Sequence, residues 1–576
     1  MHAAQHLILS LGALAGLACA NTPVSAPVQQ AGQEPEPGSA DVRLVVLISV
    51  DQMIPEQLDR LAPWYTGGLA RIARSGWVLT EAALEHGLTE TGPGHASLGT
   101  GCHPVGHGLR ANSWWSVAAQ GWVYCVEDAD AVAVTPRGAV QSAPYAGRGR
   151  SPRNIQRPGL ADYLRAAHPE SRSFSISCKD RAAIGMAGQD VDLALWWDRN
   201  GAAGFISSTW YTPTLPAWVV TWDEAWVEHL LAGPFGAGWA PGFELELEGS
   251  RTAPDARPGE AGSHPAFPHA LPALGEPPLA AEVNKLASMV YDTAIGDAFV
   301  FELARRGVGE LELGADEHPD LLALSLSGCD TAGHAYGPYS REVTDVMLRV
   351  DRGLGELFDL LDERVGAGRW IAALSSDHGV LPLPEYAPAG GGVRVPSADL
   401  RAAFEAVRAD LRELFGSDFD MRVVERGLVF SPAAVAASEV VPDELRAAAA
   451  ELLLGHGAEW LAATWTKQQL RAVATGGASS KVADLLRFEA NSFVEDSTPD
   501  VVFTPAPRHL LGMRAGTTHG TPHPYDRRIP LCFLGPGFTP GRSGGRAASV
   551  DVLPTLLDRL GIEPAAGLDG VVLRPE

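Results

Sequence analysis

Three aspartates and three histidines stand where short apolar runs of this chain end, and all six carry side chains that bind divalent metal. Asp51 closes VRLVVLISVD, Asp330 and His334 lie four apart in SGCDTAGHAYGP, Asp377 and His378 are neighbours in SSDHG, and His519 lies in GTTHG. On a helical turn a carboxylate and an imidazole at i and i+4 face one point. An adjacent Asp–His pair serves one metal or two neighbouring ones. Taken singly, each has a plain structural role: Asp51 as a cap or turn residue, a lone histidine as a core group. Taken together, they form the ligand set for two borderline-hard divalent ions such as zinc.

Four further residues bear on phosphate. In TETGPGHASLGTG, Pro93 suits the first turn of a helix, so Thr91 falls at or just before its N-terminus, where free N–H groups and the dipole favour anions. A threonine hydroxyl is a weak nucleophile until a metal lowers its pKa; its plainer role there is an N-cap. His95 in the same loop reads as structural rather than as a ligand. Lys179 and Arg181 follow the apolar run SFSISC. Alternate positions of an extended segment put both on one side, able to grip two oxygens of a phosphate dianion, with Asp180 turned away as a brace. Asn112, in HGLRANSWW, can donate its amide to a third oxygen. The arginines Arg148, Arg150, Arg153 and Arg157 read as a solvated or cap-anchoring cluster.

Side chains scattered from 51 to 519 meet only if several βα loops converge at one edge of a sheet. Continuous aliphatic runs at 43–51, 173–178, 320–328, 370–376, 500–505 and 529–535 predict strands buried on both faces. PEQLDRLAPWYTGGLARIARSG reads as helical up to Gly76. REVTDVMLRVDRGLGELFDLLDERVG sets Val343, Met347, Val350, Leu354, Leu357 and Leu361 on one helical stripe, and DVLPTLLDRLGI closes the chain as a helix. The alternation predicts an α/β three-layer sandwich with a mostly parallel central sheet. Two stretches break the rhythm: about 200–290, rich in Trp, Pro and Gly, and about 390–498, with Ala-rich helical periodicity. Both read as insertions capping the catalytic edge of a single domain spanning 42–576.

The net charge of −25 argues against binding nucleic acid or an acidic membrane surface, and any attraction of an anionic substrate must be local. Residues 7–19 are an apolar run followed by small residues, too short to span a bilayer as an ordinary helix. Cleavage at residue 20 fits the A-x-A rule, and Leu17-Ala18-Cys19 approximates a lipoprotein box, although the segment before the run lacks Lys and Arg. Residues 21–41 form a Pro/Gln/Glu tether with nothing to bury. The expectation is an exported protein, periplasmic or held at the outer membrane by a lipid on Cys19. Cys102 and Cys125 bracket a compact segment and could pair in an oxidising compartment; no C-x-x-C is present.

Together these residues resemble the alkaline phosphatase superfamily, in its type I phosphodiesterase/nucleotide pyrophosphatase branch. The chain is most similar to bacterial alkaline phosphatases with a Thr nucleophile and a Lys/Arg/Asn phosphate clamp. The pattern T-x-x-G-H…T-G…P…H-G…N-x-W is met by Thr91, Gly94, His95, Thr100, Gly101, Pro104, His107, Gly108, Asn112 and Trp114. D-x-x-G-H-x-x-G-P is met by Asp330, Gly333, His334, Gly337 and Pro338, and D-H-G by Asp377, His378 and Gly379. The resemblance implies an alkaline phosphatase-like fold and two Zn2+. Asp330, His334 and His519 would hold one ion; Asp51, Asp377, His378 and the Thr91 oxygen would hold the other. His523 is off the ligand position, and Gly92 departs from the larger residue often found there. The implied activity is hydrolysis of small phosphate monoesters through a phosphothreonine at Thr91, with Lys179, Arg181 and Asn112 as clamp. The rivals are a phosphodiesterase or nucleotide pyrophosphatase on the same metal core, with Trp210, Trp218 and Trp222 as a nucleoside slot, and a metal-containing binding protein without catalysis. No C-x-P-x-R or S-x-P-x-R motif supports a sulfatase.

Overall fold

The computed structural model describes residues 41–575 apart from 245–246, 262–264 and 477–482; the signal-like run, Cys19 and the tether up to residue 40 lie outside the described residues. At the centre of an 11-stranded sheet, Leu44–Val50 pairs in parallel with Asp320–Leu326 on one side and Trp370–Ser375 on the other. Ser173–Ser177 and then Leu193–Trp197 continue in parallel beyond Asp320–Leu326. All five are buried along their whole length. That is why their sequences are unbroken apolar or small runs rather than alternating ones.

The flanks are mixed. Leu531–Leu534 runs antiparallel to Trp370–Ser375, Phe205–Ser208 antiparallel to Leu193–Trp197, and Gly138–Val140 antiparallel to its hairpin partner Ala133–Thr135. Alternate residues of the first strand face opposite layers. Leu44, Val46, Ile48 and Val50 pack with the helices Gly68–Ser75, Ala294–Glu310 and Arg341–Leu361. Val45 and Leu47 pack with Leu160–Ala167 and the closing helix Val552–Leu560. The three-layer α/β architecture is therefore present.

Both interruptions depart in detail from expectation. In the first, helix Ala217–Ala232 carries Trp218, Trp222 and Trp226 into the main core. Trp222 lies 5.6 Å from Phe205 and 4.9 Å from Phe299 between ring centroids. A nucleoside slot built on Trp218 and Trp222 is thus ruled out; only Trp210, 44 % exposed, stands at the surface. The second interruption builds a separate four-stranded sheet from Arg422–Val424, Gly427–Val429, Val501–Pro505 and Leu461–Thr466. Helices Ser397–Phe415 and Pro442–His456 pack against it around their own core of Val407, Leu411, Leu453 and Phe503. The run 500–505 belongs here and not to the main sheet, because both of its edges pair with strands of the interruption. Among the described residues, no helix is long and apolar enough to cross a membrane.

Candidate active site

Four adjacent strands of the central sheet end at one edge, and each delivers a charged group there. Asp51 follows Leu44–Val50, and Asp377 and His378 follow Trp370–Ser375. Asp330 and His334 sit on helix Gly328–Tyr336, entered from Asp320–Leu326. Lys179 precedes helix Asp180–Ala187, entered from Ser173–Ser177. Loops at the carboxyl ends of parallel strands are where an open α/β sheet places its ligands.

The three histidines are oriented alike. Nδ1 of His334 meets the Thr517 carbonyl oxygen at 2.8 Å, that of His378 the Gly379 carbonyl at 3.1 Å, and that of His519 the Thr89 carbonyl at 2.6 Å. A carbonyl only accepts, so each ring donates from Nδ1 and turns Nε2 toward the centre. Nε2 of His334 lies 3.2 Å and that of His519 3.7 Å from Asp330 Oδ1. Nε2 of His378 lies 3.3 Å from Asp377 Oδ2 and 3.6 Å from Asp51 Oδ1. Ligand atoms of Asp330, His334 and His519 fall within 4.8 Å of one another, as do those of Asp51, Asp330 and His378.

Asp51 Oδ1, Asp377 Oδ2 and His378 Nε2 are buried without a hydrogen-bond partner. Orphaned buried acceptors on carboxylate and imidazole are the donor set that a divalent cation satisfies, so these residues fit a metal. Burial, with Asp330 and Asp377 nearby, pushes the Asp51 carboxyl well above its usual range. Burial, with His378 and His334 adjacent, keeps His519 well below the usual histidine value and hence neutral. His95 also lies within reach of Asp51 and Asp377. Its Nδ1 is 2.9 Å from the Thr91 carbonyl and 3.2 Å from Asp377 Oδ2, and its Nε2 is 2.8 Å from Ser325 Oγ. With its nitrogens taken up by the Thr91 carbonyl and the Ser325 hydroxyl, it is held beside Asp377. His523 is spent on the Pro505 carbonyl at 2.8 Å.

Thr91 is the first residue of the buried helix Thr91–Thr100. The helix lies so close to the metal-ligand loop that a Cβ at Gly94 would collide with the Asp377 carbonyl, and one at Gly99 with the Met186 carbonyl on the helix that begins beside Lys179. Gly92 donates its N–H to Asn112 Oδ1 at 2.7 Å, and a Cβ there would crowd that oxygen and Cys125 Sγ. With its oxygen held, Asn112 turns its NH2 elsewhere. Its own backbone N–H donates to Glu90 Oε2 at 2.6 Å.

Arg181 and Lys179 do not lie on one extended segment as expected; the strand ends at Ser177 and Arg181 is already helical. Arg181 Nη2 still reaches Thr91 Oγ1 at 3.4 Å, and Nη1 reaches the Tyr124 hydroxyl at 3.4 Å. Tyr124 in turn donates to Asp180 Oδ1 at 2.5 Å, and Arg150 Nε donates to Asp180 Oδ2 at 2.7 Å. Asp180 is a brace, and Arg150 is its partner rather than a solvated cation. Lys179 is buried, its Nζ donating to Asp51 Oδ2 at 2.6 Å and Asp330 Oδ2 at 2.5 Å. Burial disfavours its charge, but those two carboxylates raise its pKa above the usual lysine value.

Three contributors carry no motif-like signal. Gln52, at φ 67°, donates its backbone N–H to Asp377 Oδ1 at 3.1 Å and its amide to Asp330 Oδ1 at 2.7 Å. Its only clue is its place next to Asp51. Glu90 and Tyr124 act through Asn112 and Asp180, far apart in sequence. The pairing left open for Cys102 and Cys125 is not made: both are free and buried, Cys125 against the Thr91 helix and Cys102 against Gly106.

Known proteins are similar to this chain over most of its length. The chain is 28% identical over 541 residues to alkaline phosphatase PhoV of Synechococcus elongatus, covering 92% of each chain. It is 28% identical over 542 residues to alkaline phosphatase PafA of Elizabethkingia meningoseptica, covering 92% of this chain and 93% of that one. The crystal structure of wild-type PafA superposes with a TM-score of 0.80 at 26% identity, covering 92% of this chain and 98% of that one. The pattern defining the type I phosphodiesterase / nucleotide pyrophosphatase family matches residues 45–508. That match takes in most of the chain, with Asp51, Thr91, Lys179, Asp330 and Asp377 inside it, and the chain belongs to the type I phosphodiesterase / nucleotide pyrophosphatase family.

Proposed function

We propose that the protein is an alkaline phosphatase, hydrolysing phosphate monoesters in two in-line steps through a phosphothreonine at Thr91. The observation that carries this reading is the approach of the Arg181 guanidinium to Thr91 Oγ1, 3.4 Å apart at a helix N-terminus. A monoester dianion offers three non-bridging oxygens to Arg181, Lys179 and Asn112, whereas a diester has one of them substituted. Asp330, His334 and His519 would hold one divalent ion, and Asp51, Asp377, His378 and the Thr91 oxygen the other; mixed nitrogen and oxygen ligands suit zinc. Bound ions supply positive charge that lowers the pKa of the attacking hydroxyl and offsets charge on the leaving oxygen.

Thr91 Oγ1 attacks phosphorus as the ester P–O bond breaks; its proton passes to solvent and the departing alkoxide takes one from water. Arg181 and the Asn112 amide hold the equatorial oxygens through the charge shift. Water then attacks phosphorus as the Oγ1–P bond breaks; the water gives up a proton to solvent, Oγ1 takes one back, and inorganic phosphate leaves. Acid quenching during turnover of an aryl phosphate should trap phosphate on Thr91 by mass spectrometry, and Thr91→Ala should abolish both trap and turnover. Diester cleavage is the alternative within the same family: faster turnover of a bis-aryl phosphate than of the matching aryl phosphate sinks the monoesterase reading. Export is proposed on the apolar run at 7–19, with a lipid on Cys19 as its anchor. Cell fractionation of wild type and Cys19→Ser tests both.

A further inference from the structure

We propose that the groove on the leaving side of this site selects phosphate monoesters whose alcohol carries a second anionic group, and that Lys285 is its contact. The inference rests on the phosphomonoesterase reading, which puts the leaving oxygen on the Asp330–His334 side. From that side opens a cavity of about 940 Å³. One wall is helix Ala280–Tyr291, which bears Lys285 and Met289. Leu271, Pro272 and Met513 supply apolar surface for a carbon skeleton.

The charged groups facing the groove are mostly spent on each other. Lys179 holds Asp51 and Asp330. Arg199 pairs with Asp292 at 2.8 Å and lies over the Tyr291 ring at 4.6 Å. His269 meets Glu342 at 3.2 Å. Arg181 is committed to Thr91 and Tyr124. Lys285 differs: it is exposed on the groove wall, and among the described residues no carboxylate comes within ion-pair distance of it. The acid one turn before it, Glu282, aims its carboxylate at the Gly275 and Leu279 N–H groups, 3.0 and 2.9 Å away.

The setting gives that cation weight. The chain has four lysines, at 179, 285, 467 and 481, and a net charge of −25; two of the four line this groove. An anionic tail meets a repelling field over most of the molecule and an uncommitted ammonium here. A neutral alcohol would draw nothing from it.

The test compares two esters with closely matched leaving groups, 4-(carboxymethyl)phenyl phosphate and its primary amide, 4-(carbamoylmethyl)phenyl phosphate, on the metal-loaded enzyme. The expected result is a kcat/KM ratio of about ten in favour of the carboxylate at low salt, the scale of one hydrogen bond to a charged group. The ratio should shrink in about 0.5 M salt and fall below one in Lys285→Glu. A wild-type ratio at or below one overturns the proposal, as does a ratio that Lys285→Glu leaves unchanged. Turnover of neither ester overturns the monoesterase reading itself, and the proposal with it.

Discussion

Tyr124 donates its phenolic proton to Asp180 across 2.5 Å while accepting from Arg181 at 3.4 Å, so one hydroxyl joins the brace to the phosphate-facing guanidinium. Tyr124→Phe keeps the ring beneath Arg150, whose guanidinium lies 4.9 Å from its centroid, and deletes only that link. It should lower kcat/KM for an aryl phosphate about five- to tenfold, the worth of roughly one hydrogen bond, with the melting temperature within about 2 °C of wild type. Steady-state kinetics beside a thermal melt checks both; an unchanged kcat/KM would show that Arg181 is held without the phenol.

Metal removal should act on stability as well as turnover. Asp51, Asp330 and Asp377 are all buried, and the Lys179 ammonium pairs with the first two. Bound cations relieve the repulsion among those carboxylates, and a ligand at a hundred times its Kd adds about 2.7 kcal/mol to the folded state. Dialysis against a chelator should abolish turnover and lower the melting temperature, and zinc should restore both. Elemental analysis should then find about two ions per chain, the number the donor set supports.

Asp223 offers a pH test outside the metal-ligand cluster. Its Oδ1 accepts the Phe205 N–H at 2.7 Å, while Oδ2 is buried without a partner. Burial pushes the carboxyl up to about 9. A native pKa above the unfolded one means stability that is fully present at pH below about 4 and lost as pH rises toward 9. Asn does not titrate, so the melting temperature of Asp223→Asn should gain on wild type steadily between pH 4 and 9. A constant offset across that range would refute the assignment.

Trp222 separates core from binding slot. Its indole is buried against Phe205 and Phe299 and donates to Glu302 Oε1 at 2.7 Å. Trp222→Ala should cost about 3–5 kcal/mol and leave the monoester-to-diester rate ratio where it was. A changed ratio at retained stability would restore the slot.

Strand ends and their chemistry were legible because burial on both faces forces unbroken apolar runs, and a charged residue closing such a run has to be satisfied. Asp51, Asp330 and Asp377 stand out on that ground as a set, each having a plain structural role when taken singly. Partnership was not legible. Nothing in DVVFTP distinguishes pairing with Trp370–Ser375 from pairing with Gly427–Val429, since either burial favours the same residues. The Trp-rich stretch misleads for a related reason: large aromatics suit a slot and a core equally, and nothing in it shows that helix Ala217–Ala232 turns Trp218 and Trp222 into the main core. Glu90, Tyr124 and Gln52 stayed hidden because each acts on a residue brought near only by folding.

Arg426 ties the smaller sheet to the catalytic edge. From the turn between Arg422–Val424 and Gly427–Val429 it donates to the Gly87 carbonyl at 2.9 Å, to the Gly520 carbonyl and to Glu489. Gly87 lies four residues before Thr91 and Gly520 immediately after His519. The smaller unit is thus a crossbar bolted to the nucleophile loop and a histidine loop at once, and not a door on a hinge. A load on that sheet, from heat or from a partner, has a direct line through one guanidinium to the loops that carry Thr91 and His519.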